Sequence, residues 1–184
     1  WAGMHADSAY SSLPVGPALV RGLVARGCTV VYRPHPYTRR NPGLMAASEE
    51  ITALLTEDRA KTGTEHVFGA QAEQVWTITD CFNAVDALVS DVSSVVPDFL
   101  YSEKPFAVTA MVGSLDGFFD EMPVARGGYV LAKDASNLDA VLDDLLVADP
   151  QRAERRRLKT YYLGDFPADR YADAFLEAAR REIA

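Results

Sequence analysis

Hydrophobic residues in this chain follow two kinds of spacing, one typical of amphipathic helices and one typical of short buried strands. Residues 15–26 place leucines and valines at helical spacing, and Gly27 follows them as a helix stop. Residues 28–33 are instead rich in β-branched side chains, and residues 87–89 form another short apolar run. The pattern therefore predicts a helix followed by strands, and this alternation continues along the chain.

The remaining elements follow from the same spacings and from the positions of glycine, proline and polar clusters. Helices are predicted at about 44–61, near Phe82, and at 94–102, 138–146, 150–162 and 168–182, and strands at 106–109 and 129–130. Residues 66–69 and 75–79 are short strand or loop candidates, and residues 110–130 predict a long loop because they combine glycines, aromatics and acids. Alternating strands and helices favour an α/β fold with a doubly wound parallel sheet.

A short polar segment joins the strand at 87–90 to the helix at 94–102. It contains Ser90, Asp91, Ser93 and Ser94. A strand that enters a helix through serines leaves backbone N–H groups at the positive end of the helix dipole, which is a common phosphate site. Serine is also an ordinary N-cap, so this segment alone does not distinguish a phosphate site from a simple cap. Asp91 is expected to form the turn rather than to act as a catalytic acid.

A second candidate lies after the strand at 28–33, in the sequence Arg33-Pro-His-Pro36. The two prolines restrict the backbone around His35 and hold its imidazole at the carboxyl end of the strand. Ligands of open α/β sheets bind at this edge. His35 and the serine-capped helix therefore predict a cradle for a diphosphate group, built at the ends of two strands.

Together the two motifs resemble a known family. Arg33-Pro-His-Pro36, followed by Ser90-Asp-Val-Ser-Ser-Val95 and Asp98-Phe99, is similar to the nucleotide-binding half of the CDP-glycerol glycerophosphotransferases. Those enzymes build teichoic-acid-type polymers of the cell envelope and have the two-domain glycosyltransferase-B architecture. The resemblance covers most of residues 1–130. It implies that this chain forms the Rossmann-like, C-terminal half of that architecture.

Other segments fit the resemblance more loosely. Trp1-Ala-Gly3, with Asp7 and Tyr10-Ser-Ser-Leu13, resembles the loop after the first strand of that domain. Glu103-Lys-Pro-Phe106 lies where the family passes from its phosphate helix to the next strand. Two positions depart from the pattern: Val92 stands where the family usually has tyrosine, and Pro97 lies in the first turn of the helix, where proline is tolerated.

The resemblance suggests a role for each candidate residue. His35 is expected to bond the diphosphate and to stabilise the charge that develops when CMP leaves, which makes it the candidate catalytic residue. The diphosphate-binding candidates are Arg33, His35, Ser93 and Ser94, with Arg39 and Arg40 adding positive potential. Asp98, one helical turn beyond Ser94, is expected to accept hydrogen bonds from the ribose, and Thr77 and Thr79 to lie near the base. Each also has an ordinary structural interpretation, as a cap, a core residue or a solvated surface residue.

Composition limits the alternatives. The 184 residues allow one domain with a sizeable core or at most two small ones, and residues 1–184 are expected to form a single nucleotide-binding domain. Helices from about residue 150 are expected to pack toward an N-terminal domain that lies outside this sequence. The formal net charge of −8 argues against a nucleic-acid partner. The three histidines lack the short spacings of zinc sites, so no metal is expected, and no cofactor is expected either.

The sequence also indicates where the protein works. No apolar run approaches the ~20 residues that span a bilayer, and Cys28 and Cys81 are expected to be reduced thiols of a cytoplasmic protein. A basic cluster is typical of a solvated helix face, and it also suits an anionic membrane surface, such as the inner face of the plasma membrane where the family works. Its members are Arg152, Arg155, Arg156, Arg157 and Lys159.

These features favour the donor-binding domain of a CDP-glycerol glycerophosphotransferase-like enzyme. The resemblance implies transfer of glycerol phosphate from CDP-glycerol to a polymer or lipid-linked hydroxyl, with release of CMP. Because the family takes its general base from a histidine of the N-terminal domain, residues 1–184 alone are expected to bind the donor without turning it over. Two alternatives stay open: a nucleotide-sugar glycosyltransferase or 2-epimerase of the same fold, and a non-catalytic nucleotide-binding module, for which Val92 is the only hint.

Overall fold

The computed structural model describes residues 8–183. Eight α-helices lie in this range: α1 Gly16–Ala25, α2 Pro42–Thr62, α3 Ile78–Ala84, α4 Val95–Leu100, α5 Leu115–Glu121, α6 Leu138–Asp143, α7 Arg152–Leu163 and α8 Tyr171–Ile183. Three strands lie between them: β1 Leu88–Ser90, β2 Phe106–Ala110 and β3 Tyr129–Ala132. The family-like positions Trp1-Ala-Gly3 and Asp7 lie outside the described residues.

The three strands form one parallel sheet in the order β1-β2-β3. Leu88 pairs with Phe106, and Ala107 pairs with Tyr129. Parallel pairing requires a crossover between successive strands, and helices supply each of these connections. The α/β class and the parallel sheet predicted from the sequence are confirmed.

Helices cover both faces of this sheet. Phe106 and Val108 of β2 join a core cluster with residues of α4, α5 and α7. Ala107, on the opposite face of the same strand, packs with residues of β3, α1 and α6. Neighbouring residues of β2 therefore serve two separate layers of core, as the period of two in a strand requires. The result is the doubly wound, Rossmann-like arrangement that was predicted.

The segment at 28–33 is only a minimal strand. Val31 forms an isolated parallel bridge with Val67, in which Tyr32 N–H donates to the Val67 carbonyl at 2.8 Å and Val67 N–H donates to the Val30 carbonyl at 3.0 Å. Ile51 and Leu55 of α2 cover this bridge in a third core cluster. The β-branched pattern predicted the extended backbone correctly, but the segment pairs on one side only.

The prediction of a long loop in the middle of the chain was wrong, and of the two candidates for residues 75–79, strand or loop, the strand is not formed. Residues 110–130 contain α5 and a 3₁₀ helix at Pro123–Gly127 rather than a long loop, because Ser114 caps α5 and Phe118 buries its ring in the core. Residues 75–79 do not form a strand. A π-helical turn at Gln71–Val75 runs directly into α3, and Thr77 is the N-cap of that helix.

Helix ends agree well with the local sequence signals. Asn41 caps α2 by accepting hydrogen bonds from Gly43 and Leu44 N–H, and Gly63 ends the helix with a φ of +75°. α6 continues into a π-helical turn at Asp144–Ala148, which accounts for the longer helix predicted there. None of the helices within residues 8–183 is long and apolar enough to cross a membrane.

Candidate functional site

The carboxyl end of β1 carries a group of buried polar residues. Ser90 and Asp91 are completely buried, and Ser93 is 7% exposed. Ser93 Oγ accepts a hydrogen bond from Val95 N–H at 3.4 Å, so this serine side chain caps the first residue of α4. Polar side chains are rarely placed in a core without a structural or functional reason, and here they cluster where the strand meets the helix.

α4 presents two polar side chains on its outer face. Ser94 and Asp98 are both exposed, and Asp98 N–H donates to the Ser94 carbonyl at 3.5 Å, which places them one turn apart as expected. Phe99 and Leu100 are fully buried and fix the opposite side of this six-residue helix in the core. Pro97 lies within the first turn, as predicted, and the helix accommodates it.

The loop at His35 holds the imidazole in one orientation. His35 precedes a 3₁₀ helix at Pro36–Arg40, and its Nδ1 accepts a hydrogen bond from Tyr37 N–H at 3.1 Å. The Tyr37 ring also packs edge-on against the imidazole, with the centroids 5.0 Å apart. Since Nδ1 accepts, the proton of the neutral ring is on Nε2. Partial burial lowers the pKa of His35 below its usual 6.5, which favours this neutral form.

Arg33 ties the His35 loop to the turn before α3. Its Nη1 donates to the Trp76 carbonyl at 2.7 Å and also to the carbonyl of Ala72. The positive charge of Arg33 therefore lies beside His35, although its Nη1 already donates to two backbone carbonyls. Thr77 follows Trp76 in the sequence, so this contact places the start of α3 close to Arg33.

Thr77 and Thr79 occupy the exposed start of α3. Thr77 forms a capping box with Asp80: Thr77 N–H donates to the Asp80 carboxylate at 2.8 Å, and Asp80 N–H donates to Thr77 Oγ1 at 3.1 Å. Hydrogen bonds from the Thr77 side chain and backbone lower the pKa of Asp80. Thr77 is therefore first a structural cap, whereas Thr79 presents an exposed side chain in the first turn.

α3 indicates how the two strand ends are related. Its start lies beside Arg33, because of the bond to Trp76, and its end lies at the start of β2, because Lys104 Nζ donates to the Val85 carbonyl at 2.6 Å. The helix therefore runs from the carboxyl end of the segment at 28–33 to the amino end of the sheet strands.

This is the path of a crossover helix between two parallel strands. Seven helical residues span about 10 Å, roughly the length of a short strand. If the segment at 28–33 ran opposite to β1, α3 would have to begin and end at the same edge of the sheet. We infer that the His35 loop and the turn at Ser93 lie at the same edge.

His35 also lines a cavity of about 660 Å³ against α2, and this cavity is not the predicted diphosphate cradle. Its walls include Glu49, Glu57 and Glu73, and Arg39 is neutralised by Glu73 at 2.6 Å. Ser93, Ser94 and Asp98 are not among its lining residues. Because carboxylates repel an anion, this cavity is a poor site for a diphosphate.

A family model described as CDP-Glycerol:Poly(glycerophosphate) glycerophosphotransferase matches residues 18–112. This range is more than half of the chain and contains both the His35 loop and the turn at Ser93. The chain belongs to this family. No curated protein and no solved structure gives a significant match.

Membership of the glycerophosphotransferase family confirms the resemblance seen in the two motifs. It makes the chain a domain of a transferase family whose description names CDP-glycerol. The matched range ends just after β2, so β3 and the helices from α5 to α8 lie outside it.

The basic cluster of α7 differs from the solvated face that was expected. Arg155 is 1% exposed and donates to the carbonyls of Glu103 and Gly127 and, at 2.6 Å, to the Asp149 carboxylate. Arg156 and Lys159 both pair with Glu103 at 3.0 Å. Most of this charge is therefore neutralised within the domain.

His66 has a structural role that the sequence pattern did not reveal. It is 2% exposed, its Nδ1 accepts from Val30 N–H at 3.1 Å, and its Nε2 lies 2.9 Å from the Asp58 carboxylate. The spacing of His66 from Asp58, eight residues, gave no signal for this contact. Among residues 8–183, no group of three or more His, Cys, Asp or Glu side chains is arranged to hold a metal ion.

Proposed function

We propose that this domain binds CDP-glycerol and presents its diphosphate for glycerophosphate transfer. The observation that carries the proposal is the pair of family motifs that follow two strand segments, His35 after the segment at 28–33 and Ser93 after β1. Ligands of open α/β sheets collect at this edge, and the family description names the donor.

In this proposal the diphosphate lies between the His35 loop and the turn at Ser93. His35 donates from Nε2–H, and Ser93 and Ser94 contribute hydroxyl and backbone groups. Arg33 acts chiefly through its charge, because its Nη1 already bonds backbone carbonyls. When CMP leaves, negative charge grows on the bridging oxygen, and a donor fixed by Tyr37 N–H stabilises it without reorganising.

Two further contacts would fix the nucleoside. Asp98 is exposed one turn beyond Ser94, where a carboxylate can accept from both ribose hydroxyls. Thr79, and the exposed part of Thr77, border the cytosine. Thr79 is the better candidate for base contact, since Thr77 Oγ1 is held by Asp80.

The complete reaction needs a second domain. An acceptor hydroxyl attacks the β-phosphorus of CDP-glycerol, the bond from that phosphorus to the bridging oxygen breaks, and CMP departs with its electrons. We propose that the base which takes the hydroxyl proton belongs to an N-terminal acceptor domain, as in a glycosyltransferase-B enzyme of teichoic-acid-type synthesis. Residues 1–184 would then bind the donor without consuming it.

The C-terminal helices fit this proposal in part. α7 packs into the core of this domain through Arg155 and Leu158. α8 buries none of its residues, and Phe175 and Leu176 are exposed. We propose that α8 contacts the acceptor domain. Any contact with the inner membrane surface would need a basic surface other than α7, whose charges are mostly paired.

Calorimetry with a set of nucleotides tests the donor. We expect CDP-glycerol to bind more tightly than CMP, because only the diphosphate meets both His35 and the turn at Ser93. His35→Ala should weaken CDP-glycerol about ten- to a hundredfold, as one charge-assisted bond is worth roughly 1.5–3 kcal/mol. Arg21→Ala is the control for loss of one surface cation, because Arg21 lies on α1 and pairs with Glu50.

Other outcomes of this titration would indicate a different function for the domain. Tighter binding of UDP-sugars would indicate a nucleotide-sugar transferase or 2-epimerase, and no binding of any nucleotide would indicate a degenerate module. Equal affinity of wild type and His35→Ala would remove His35 from the phosphate site.

A further inference from the structure

The turn before α3 contains a change of helix type. In the π-helical turn at Gln71–Val75, Trp76 N–H donates to the Gln71 carbonyl at 3.0 Å, five residues back. In an α-helix the same N–H would donate to the Ala72 carbonyl, four residues back. Thr77 N–H, the next donor along the chain, belongs to the capping box of α3. The Ala72 carbonyl therefore loses its helical donors, although Ala72 is completely buried.

Arg33 supplies a donor for this carbonyl. Its Nη1 donates to the Ala72 carbonyl and, at 2.7 Å, to the Trp76 carbonyl. One nitrogen with two N–H groups thus bonds both the π-helical turn and the residue before the N-cap of α3. Because a buried carbonyl without a donor is costly, these two bonds fix the path of the chain between the two helices.

A second arginine holds the same turn. Arg39 Nη2 pairs with the Glu73 carboxylate at 2.6 Å. The Glu73 side chain is only 18% exposed, so solvent screens this ion pair less than a pair between two exposed side chains. Glu73 also neutralises Arg39, which reduces the attraction between Arg39 and a diphosphate.

The two arginines connect this turn directly to the His35 loop. Arg33 precedes His35 by two residues and Arg39 follows it by four, and both reach the turn across 34 to 43 positions of sequence. The Val31–Val67 bridge pairs the segments that lead into the loop and the turn, and it lies four positions before the turn begins. We name the contacts of Arg33 and Arg39 with the turn the arginine clamp. π-helical turns are uncommon, and they often occur at functional sites.

We propose that Arg33 and Arg39 are positioning residues, which hold the start of α3 at a fixed distance from His35. This inference rests on the proposed function, in which His35 bonds the diphosphate and Thr79 of α3 borders the base. A nucleoside diphosphate has to reach both ends of that site at once, so its affinity depends on the distance between them. Arg33 keeps the charge already assigned to it, whereas Arg39 acts through Glu73 and not as a cation for the diphosphate.

Two substitutions at one ion pair separate positioning from charge. Arg39→Gln and Glu73→Gln break the same contact, but the first removes a positive charge near His35 and the second removes a negative one. CDP-glycerol binding is measured by calorimetry with the full polypeptide that the gene encodes. Arg21→Gln and Glu50→Gln form the matched control, because they break an exposed ion pair between α1 and α2.

We expect both Arg39→Gln and Glu73→Gln to weaken CDP-glycerol by about two- to fivefold, as loss of one partly exposed ion pair predicts, and each control variant to change its affinity by less than about twofold. Tighter binding by Glu73→Gln would overturn the proposal, because Arg39 and Glu73 would then act on the ligand through their charges. Unchanged affinity in both variants would overturn it as well.

Hydrogen exchange without nucleotide measures the arginine clamp itself. We expect the amides of Trp76 and Thr77 to exchange about two- to fivefold faster in Arg39→Gln and Glu73→Gln than in wild type, and at the wild-type rate in the control variants. Wild-type rates in both Arg39→Gln and Glu73→Gln would overturn the proposal. If wild type binds no nucleotide, the proposed function fails, while these rates still decide whether the arginine clamp holds the turn.

Arg33 is tested through its coupling to Thr79. Thr79→Val removes the hydroxyl beside the base, and in wild type it should weaken CDP-glycerol by about two- to tenfold. In Arg33→Met the start of α3 is no longer held, so the same substitution should have a smaller effect. If Arg33→Met does not fold, Arg39→Gln serves as the background for this comparison. Equal effects of Thr79→Val in wild type and in the arginine variant would overturn the positioning role.

Discussion

The protonation state of His35 links the site to pH. Partial burial keeps its pKa below 6.5 in the free protein, and the bond from Tyr37 N–H fixes the remaining proton on Nε2. A diphosphate bound at Nε2 favours the imidazolium form because opposite charges attract, although the second proton goes to Nδ1 and displaces the bond from Tyr37 N–H. His35 therefore has a lower pKa in the free protein than in the complex. At any pH between these two pKa values, binding of the ligand is accompanied by uptake of a proton.

We expect CDP-glycerol to bind more tightly as the pH falls from 8 toward 6, by up to about tenfold per pH unit. CDP-glycerol is suited to this measurement, since its diphosphate is a diester and lacks the ionisation near pH 6 of a phosphate monoester. Calorimetry across this range measures the slope. His35→Gln retains a donor but does not titrate, so its affinity should be independent of pH. If the affinity of His35→Gln still depends on pH, the proton is taken up by another group.

Asp98 allows a test of the ribose contact. If its carboxylate bridges the two ribose hydroxyls, Asp98→Asn should weaken CDP by about tenfold and 2′-deoxy-CDP by clearly less, because the deoxy ligand already lacks part of the bond. Binding of both nucleotides to both proteins forms a double-mutant cycle. Stability should change by no more than about 1 kcal/mol, as Asp98 is exposed near a helix start. Additive losses would show that Asp98 does not contact the ribose.

Single residues also show what a sequence pattern can and cannot predict. The prolines around His35 restrict the local backbone, so its place at a strand end could be predicted from neighbours alone. The contact of Arg33 with Trp76 joins residues 43 positions apart, and no local rule encodes it. The burial of Asp91 depends likewise on the packing of whole elements around the end of β1.

The elements with a clear hydrophobic periodicity were predicted from the sequence. The elements stabilised by contacts between distant parts of the chain were not. α1 and α2 carry clear spacing or caps, and β2 and β3 are short apolar runs. α5 was missed because glycine and acids dilute its pattern, while the burial of Phe118 fixes it in the core. The segment at 28–33 has the composition of a strand, but strand pairing needs partners on both sides.

Arg155 attaches α7 to the turn at Glu103 and to the 3₁₀ helix at Pro123–Gly127. Arg155→Met should lower the free energy of unfolding by about 3–5 kcal/mol, because it leaves two carbonyls and the Asp149 carboxylate without their donor. Arg157→Met is the matched control on the same helix: Arg157 is exposed and pairs with Glu154, so its loss should change stability far less than the loss of Arg155. Urea unfolding measures both, and equal effects would contradict a special role for Arg155.

The Arg155 contact also predicts a response to acid. Burial tends to raise the pKa of Asp149, but the bonds from Arg155 and Tyr129 outweigh it and lower that pKa below 3.8. The unfolded carboxyl takes up a proton near its ordinary pKa, whereas the folded one does so only at lower pH. The stabilisation from Asp149 is therefore complete at neutral pH and is lost as the pH falls below about 4. Arg155→Met should lose less stability than wild type over this acid range.

At the scale of the whole molecule, the domain consists of two packed halves joined by α1. One half is the sheet β1-β2-β3 with its two layers of helices, and the other is the Val31–Val67 bridge under α2. α1 packs on both α2 and α6. The candidate site residues follow this division, with His35 on one half and Ser93 on the other.

α8 stands apart from both halves. None of its residues is buried, and its described contacts centre on Tyr171, which donates to the Gly164 carbonyl at 3.1 Å and packs edge-on against Tyr101 and Phe166. Phe175 is 73% exposed and Leu176 is 47% exposed. A helix that buries so little apolar surface contributes little to the stability of the domain it follows.

We therefore expect a chain ending at Phe166 to unfold in urea with a free energy within about 1 kcal/mol of the chain ending at Ala184. A chain ending at Asp149 is the contrasting control, because it also loses Arg155 and the buried Leu158, and it should not fold stably. Phe175→Ser in the longer chain should likewise leave stability unchanged. If α8 packs on an acceptor domain, the same substitution in the polypeptide encoded by the gene should increase cleavage of α8 by protease. A loss of several kcal/mol on removing α8 would mean that the helix belongs to this domain's own core, and its exposed face would no longer indicate a second domain.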